Sequence, residues 1–201
     1  IFLLGFLIGI HETGHFLIAK LCKVRVNEFA IGFGPVIWKK QGKETKYELR
    51  LIPLGGFVNM EGEAEQSEKE GSFTKASIPR RIAIVAAGAL VNIIFAIIVY
   101  FILAMTVRGN ITNAVVGNRV LDADDFGNRL YFASYNTKEF MLSIAESVKQ
   151  LFTGKVSSAE LVGPVGISEV VAKTNGFREF IYILSAISIS LGVTNLLPFP
   201  P

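Results

Sequence analysis

The feature that most constrains this chain is a charged motif set inside an apolar run. Residues 1–21 read IFLLGFLIGIHETGHFLIAKL. At about 1.5 Å per helical residue, such a stretch can cross roughly 30 Å of hydrocarbon. It carries His11, Glu12 and His15, which are the chain's only two histidines and the acid between them. Two histidines four apart on a helix share one face and can hold one zinc ion, while the glutamate between them sits beside the metal as a general base. The plainer reading is two helical histidines that merely pack. Their setting argues against it, because ionisable groups at membrane depth are costly and mark function. A secretory signal peptide fits no better: its apolar region would lack such groups and would lead to small residues, not to Lys20-Leu21-Cys22-Lys23.

Composition agrees with a bilayer as solvent. Hydrophobic residues make up 51% of the 201, and the mean hydropathy is +0.47. A net charge of +3 could suggest nucleic acid, but the basic residues are scattered and no stacking platform accompanies them, so no nucleic-acid partner is expected. The single cysteine, Cys22, excludes an internal disulfide and a cysteine-based zinc site. Nitrogen and oxygen must hold any metal. Residue 1 already lies inside an apolar run, and Pro198-Phe199-Pro200-Pro201 closes another, so the chain reads as a fragment.

Three apolar segments organise the rest: Ile1 to about Leu21, the uncharged run Ile82 to Met105, and Phe180 to Pro201. The expected fold is a mainly α, polytopic membrane protein. It has a core of three transmembrane helices, a membrane-associated β-hairpin after the first helix, and amphipathic helices outside. Residues 1–107 form the first two spans with a β-rich loop between them, 108–177 an extracytoplasmic segment, and 178–201 the third span. Lys20, Lys23, Arg25, Arg80 and Arg81 flank the loop 23–81, which places that loop in the cytoplasm and the start of the chain outside.

Within the loop, Val36 to Lys40 and Tyr47 to Ile52 alternate as the two arms of a hairpin turning at Gln41-Gly42, and Phe57 to Met60 adds a short strand. The sheet could offer an open edge to an extended peptide, or serve as a structural hairpin against the membrane. Glu61 to Ser77 is acidic and small-residue rich, and reads as a mobile surface linker. In the second span Asn92 is either an interhelical hydrogen bonder or a contact to substrate backbone beside the metal. Lys138 to Phe152 forms an amphipathic helix with Met141, Ile144, Val148 and Leu151 on one face, and a shorter helix is expected over Val165 to Lys173. Arg108 to Asn136 shows no clear period. In the third span, Asn195, Pro198 and Pro200 favour an active-site wall over a plain kinked helix, because broken backbone at membrane depth persists only inside protein or beside a wet cavity.

Four stretches together resemble the site-2 protease group of intramembrane zinc metalloproteases, in its bacterial regulated-proteolysis branch. They are His11-Glu12-Thr13-Gly14-His15; Gly32-Phe33-Gly34-Pro35 through Pro53-Leu54-Gly55-Gly56-Phe57-Val58; Arg81 through Gly88-Ala89-Leu90-Val91-Asn92; and Gly163-Pro164-Val165-Gly166-Ile167 with Asn195-Leu196-Leu197-Pro198-Phe199-Pro200. The resemblance implies one zinc ion held by His11 and His15, with Glu12 as catalytic base. It places Asn92 near the site where substrate binds. It also implies a hairpin that pairs with an unwinding substrate helix, through Tyr47, Leu49 and Leu51, with Asn195 and Pro198 lining the site. The group's third ligand is an aspartate in a Leu-Asp-Gly motif just after its Pro-x-Pro stretch, so here it is expected beyond Pro201. A PDZ domain commonly lies between the second and third spans, and the segment here is too short for one. Ala89 stands where the group often has proline.

The implied partners are the membrane and single-pass transmembrane substrates, such as anti-sigma factors or signal-peptide remnants, in the inner or plasma membrane. Two rivals remain at this stage. One is a membrane-anchored zinc protease for soluble or prenylated substrates. The other is a non-catalytic metal transporter or scaffold.

Overall fold

The structure is a computed structural model that describes residues 2–112, 120–153 and 176–196. Helix α1 spans Phe2–Leu21, β1 Val26–Gln41, β2 Lys46–Met60 and α2 Ile78–Met105. Short strands β3 (Asn110–Thr112) and β4 (Val120–Asp122) form a two-stranded antiparallel sheet, followed by α3 (Phe126–Phe152) and α4 (Phe177–Leu196). Helices α1, α2 and α4, of 20, 28 and 20 residues, are each long and apolar enough to cross a membrane. Mainly helical with three candidate spans, the fold agrees with the expectation from sequence. The chain divides into two compact units, residues 1–92 with 194–201, and residues 93–193.

In the first unit, α1 ends through Lys23, whose backbone sits in the left-handed region at φ 61°. The amides of Lys23 and Val24 then bond back to the carbonyls of Lys20 and Ala19, closing the last turn. Strands β1 and β2 follow as an antiparallel pair that is longer than the sequence suggests, because both run through their glycine and proline positions as bends. At Gly32 the bend needs φ +89°, and a β-carbon there would come within 2.8 Å of the Ile52 carbonyl oxygen. The bends fold the ladder over itself. Phe29 faces Val58 on one side and Tyr47 on the other, Ala30 faces Phe57 and Glu48, and Ile31 faces Gly56 and Leu49. Farther along, Trp38 pairs with Leu49 and Lys40 with Tyr47.

The sheet meets α1 through aromatic rings, Phe16 against Phe29 at 5.0 Å and against Tyr47 at 5.9 Å. Below them Ala19, Val24, Val26, Met60 and Ile84 form a buried cluster. Charge is handled within the sheet: the Glu48 carboxylate is buried and pairs with Lys46 and with Arg50 at 2.7 Å. These partners hold Glu48 below the usual carboxylate range. Arg50 also reaches Glu28 at 3.1 Å.

Residues 61–77 differ from the mobile linker expected. Glu61 accepts hydrogen bonds from Asn27 at 3.1 Å and Ser67 at 2.7 Å, and pairs with Lys69 at 3.1 Å. Phe73 packs onto the buried cluster and its amide bonds the Glu61 carbonyl, while the Arg25 amide bonds the Gly71 carbonyl. The composition is loop-like because these groups satisfy one another locally, with little apolar surface to bury.

In the second unit, α3 begins twelve residues before the Lys138 expected. Asp125 caps it, its carboxylate accepting from the Asn128 amide at 2.9 Å. The inward stripe is Ala133, Thr137 and Phe140 with Ile144 beside it, whereas Met141 is exposed. Phe140 stacks on Tyr100 of α2 at 4.2 Å, and Ala96, Ile189 and Ala186 complete the cluster. The Val165 to Lys173 helix and the Gly163-Pro164 stretch lie outside the described residues.

Candidate metal centre

Residues 9–15 form the middle of α1, and Thr13 donates to the Gly9 carbonyl at 2.7 Å, the usual way for a helical threonine to satisfy its hydroxyl. Helix α2 passes α1 at small residues. A β-carbon at Gly14 would come within 2.7 Å of the Ala87 carbonyl oxygen, so only glycine permits this approach. Close contact matters in lipid, where packing replaces the hydrophobic effect as the force between helices.

That approach brings α2 against both imidazoles. His15 donates from Nδ1 to the carbonyl oxygen of Ile84 at 2.7 Å. A carbonyl only accepts, so the proton sits on Nδ1 and the lone pair on Nε2. Two helical turns farther along α2, the side-chain amide of the buried Asn92 lies 3.4 Å from His11 Nδ1. Fixing the outer nitrogen in this way is what holds a metal-ligating ring in place.

The two Nε2 atoms then converge to 3.1 Å. Zinc takes imidazole nitrogen at about 2.0–2.1 Å, and two such bonds at a tetrahedral angle put the nitrogens a little over 3 Å apart. The space beside them is kept open by Gly88. A β-carbon built there would lie 2.7 Å from His11 Nε2 and overlap His15 Nε2. Residues and cradle therefore fit a zinc ion at two of its positions. Among the described residues no group of three metal-ligating side chains occurs, so His11 and His15 are the ligands this part of the chain provides.

Glu12 is half-buried and abuts the sheet: a β-carbon at Gly56 would come within 3.4 Å of its Cγ. Of the residues singled out by sequence, His11, Glu12, His15 and Asn92 are thus brought together. Tyr47, Leu49 and Leu51 lie on β2, but Tyr47 pairs with both Phe29 and Lys40, and Leu49 with both Ile31 and Trp38, so neither offers a free backbone edge. Within the β1–β2 sheet, the outer segments with a single ladder partner are Val36–Gln41 and Gly56–Met60, and the latter runs beside Glu12. Asn195 lies in the last turn of α4, while Pro198 lies outside the described residues. In the sequence Gly88 stands only within one of the four family-like stretches, with no role of its own beside the imidazoles. The signal for such a role is the equal four-residue spacing of His11 and His15 on one helix and Ile84 and Gly88 on the other.

The profile of peptidase family M50 matches residues 1–201. The chain belongs to peptidase family M50. This M50 chain is 29% identical over 280 aligned positions to a protein of Fusobacterium nucleatum subsp. nucleatum whose name assigns it to the zinc metalloproteases, covering 98% of this chain and 82% of the relative. A similarly named protein of Clostridium acetobutylicum is 30% identical over 272 positions, covering 98% and 80%. The regulator of sigma-E protease RseP of Escherichia coli is 44% identical over 104 positions, 49% of this chain and 23% of that protein. The first two alignments are longer than the 201 residues present here, so those relatives carry additional residues within the matched span. The M50 chain is accordingly a membrane metalloprotease of the site-2 protease group, whose relatives are named for zinc.

Proposed function

We propose that this protease hydrolyses peptide bonds of membrane-spanning substrates within the bilayer, with His11 and His15 holding one zinc ion and Glu12 acting as general base. The observation that carries the reading is the pair of Nε2 atoms 3.1 Å apart in the open space beside Gly88, within a candidate membrane span and next to Glu12. An aspartate beyond Pro201 would supply the third ligand, as the site-2 protease pattern implies. Zinc held there supplies Lewis acidity toward a scissile carbonyl and lowers the pKa of water to about 7.

The chain's own residues do the rest. Glu12 takes the proton from the attacking water and later delivers it to the leaving amine, so the water's hydroxyl ends on the new carboxyl and its proton on the new amine. Asn92 orients His11. A substrate helix must unwind before its carbonyl can be attacked, and its freed backbone groups need partners at membrane depth. The edge Gly56–Met60 supports strand addition beside Glu12, with Tyr47 and Leu49 in the interior of the same sheet stiffening it. Asn195 and Pro198 form the opposite wall in this reading. Single-pass proteins such as anti-sigma factors, or signal-peptide remnants, are the proposed substrates. The enzyme would sit in the inner membrane with residues 23–81 on the cytoplasmic side, as the flanking Lys and Arg suggest.

The Glu12→Gln variant tests the assignment. In proteoliposomes carrying a single-pass substrate, it should retain zinc and lose cleavage by about 10²–10⁴-fold. Cleavage at the wild-type rate with zinc bound would overturn it.

A further inference from the structure

The first turns of α2 carry a charged group that the metal centre does not use. Arg81 is the last charge before 24 uncharged residues, Ile82 to Met105, so it stands at the boundary between water and hydrocarbon. Its Nε is buried without a hydrogen-bond partner among the described residues, an arrangement that is unfavourable unless something supplies an acceptor. Arg81 lines a cavity of about 420 Å³ together with Phe73, Ile78, Ile82, Val85 and Asn195.

The walls of this cavity have two chemistries. Ile78, Ile82 and Val85 recur at one-turn spacing and are each 63–64% exposed, forming a stripe of α2 that meets acyl chains when the helix spans a bilayer. The Arg81 guanidinium lies between Ile78 and Ile82 along α2, and Asn195 lines the same cavity. Among the described residues no acid lines the cavity and none occupies the first turn of α2.

We propose that this cavity binds one anionic phospholipid, its phosphate on Arg81 and Asn195 and one acyl chain along Ile82 and Val85. A soluble anion would leave the apolar stripe unused. A peptide segment would bring many backbone groups to a wall that offers only two polar side chains. Net positive charge with no acid favours an anionic headgroup over a zwitterionic one. The assignment shares only Asn195 with the catalytic reading, and its test reads lipid retention, not cleavage.

Native mass spectrometry of the full chain, purified in detergent and offered phosphatidylglycerol or phosphatidylcholine at equal concentration, tests it. The wild type should retain phosphatidylglycerol about five-fold better, the preference expected for one basic side chain near an anionic group. Arg81→Gln should bring the ratio close to one, while Arg80→Gln, outside the cavity, keeps it. Ile82→Trp, which fills the groove and leaves Arg81 in place, should lower retention of both lipids. An absence of preference in the wild type, which requires no variant to fold, would overturn the proposal. So would a full preference in Arg81→Gln, or displacement of the lipid by millimolar inorganic phosphate, which would assign the cavity to a free anion.

Discussion

The Nε2 atoms of His11 and His15 lie 3.1 Å apart, on the side of both rings that faces the bare Cα of Gly88. Gly88→Ala is therefore expected to act on the metal and not on the helix. Its methyl would stand 2.7 Å from His11 Nε2 and overlap His15 Nε2, filling the cradle, while alanine favours helix over glycine by about 1 kcal/mol. Zinc affinity should fall by at least about 10–100-fold, the range seen when the surroundings of a metal ligand are disturbed. Metal content after dialysis, read beside the melting temperature in detergent, checks this. A variant that keeps stoichiometric zinc at wild-type affinity would show that the open space at Gly88 has no part in binding.

The hairpin carries the chain's only tryptophan, Trp38, which is 53% exposed and lies among exposed Val36, Ile37 and Leu51. So much apolar surface on one ribbon is expected to rest in the membrane, with Lys39, Lys40 and Lys43 reaching the headgroups. Intrinsic fluorescence reports on this single site. In proteoliposomes, Trp38 emission should be blue-shifted and quenched by brominated lipids. Quenching by aqueous acrylamide with no effect of the bromolipids would place the ribbon in water instead.

Glu61 anchors residues 61–77 through Ser67, Asn27 and Lys69, and these partners pull its carboxyl from the ordinary 4.5 down to about 2. A carboxyl depressed in the folded state adds stability above its unfolded value and loses it as pH falls toward the folded value. The segment should thus stay closed above about pH 4.5 and loosen progressively toward pH 2. Cleavage near Phe73 by an acid-active protease, compared between the wild type and Glu61→Gln, follows the transition. The variant should be nicked readily across the whole range. Equal protection of both proteins at pH 5 would show that Glu61 does not hold the segment.

Lys23 occupies the left-handed region at φ 61°, a conformation that disfavours side chains with a β-carbon by about 1–2 kcal/mol. Lys23→Gly relieves that strain and completes the usual glycine cap of a helix. After the extra unfolded-state freedom of glycine is counted, a gain of roughly 0.5–1 kcal/mol is expected, read as a higher melting temperature in detergent. An unchanged or lower value would mean that the Lys23 side chain contributes more than its backbone costs.

Residues 10–16 alone told a careful reader to look for a metal inside the membrane, because the motif combines a four-residue repeat with an apolar setting. The three candidate spans were equally plain, since helices of that length and apolarity stand out from the rest of the chain. Helix α3 was only half visible: its later part has a clear polar and apolar division, but its first turns depend on the cap at Asp125, and its inward stripe is set by which residues meet Tyr100.

What the sequence determined by itself, then, was composition along the chain: which segments are long and apolar enough to cross a membrane, and which side chains have the chemistry to ligate and transfer protons. Tertiary structure alone decided that the Ile84 carbonyl of α2 orients His15, that Gly88 keeps the shared face of the imidazoles open, and which outer strand of the β1–β2 sheet runs beside Glu12. The reason is physical. Side-chain chemistry and periodicity are local properties, whereas the approach of α1 to α2 at Gly14 and the doubled pairing of β1 with β2 depend on contacts between residues far apart in the chain, which leave no local pattern to read.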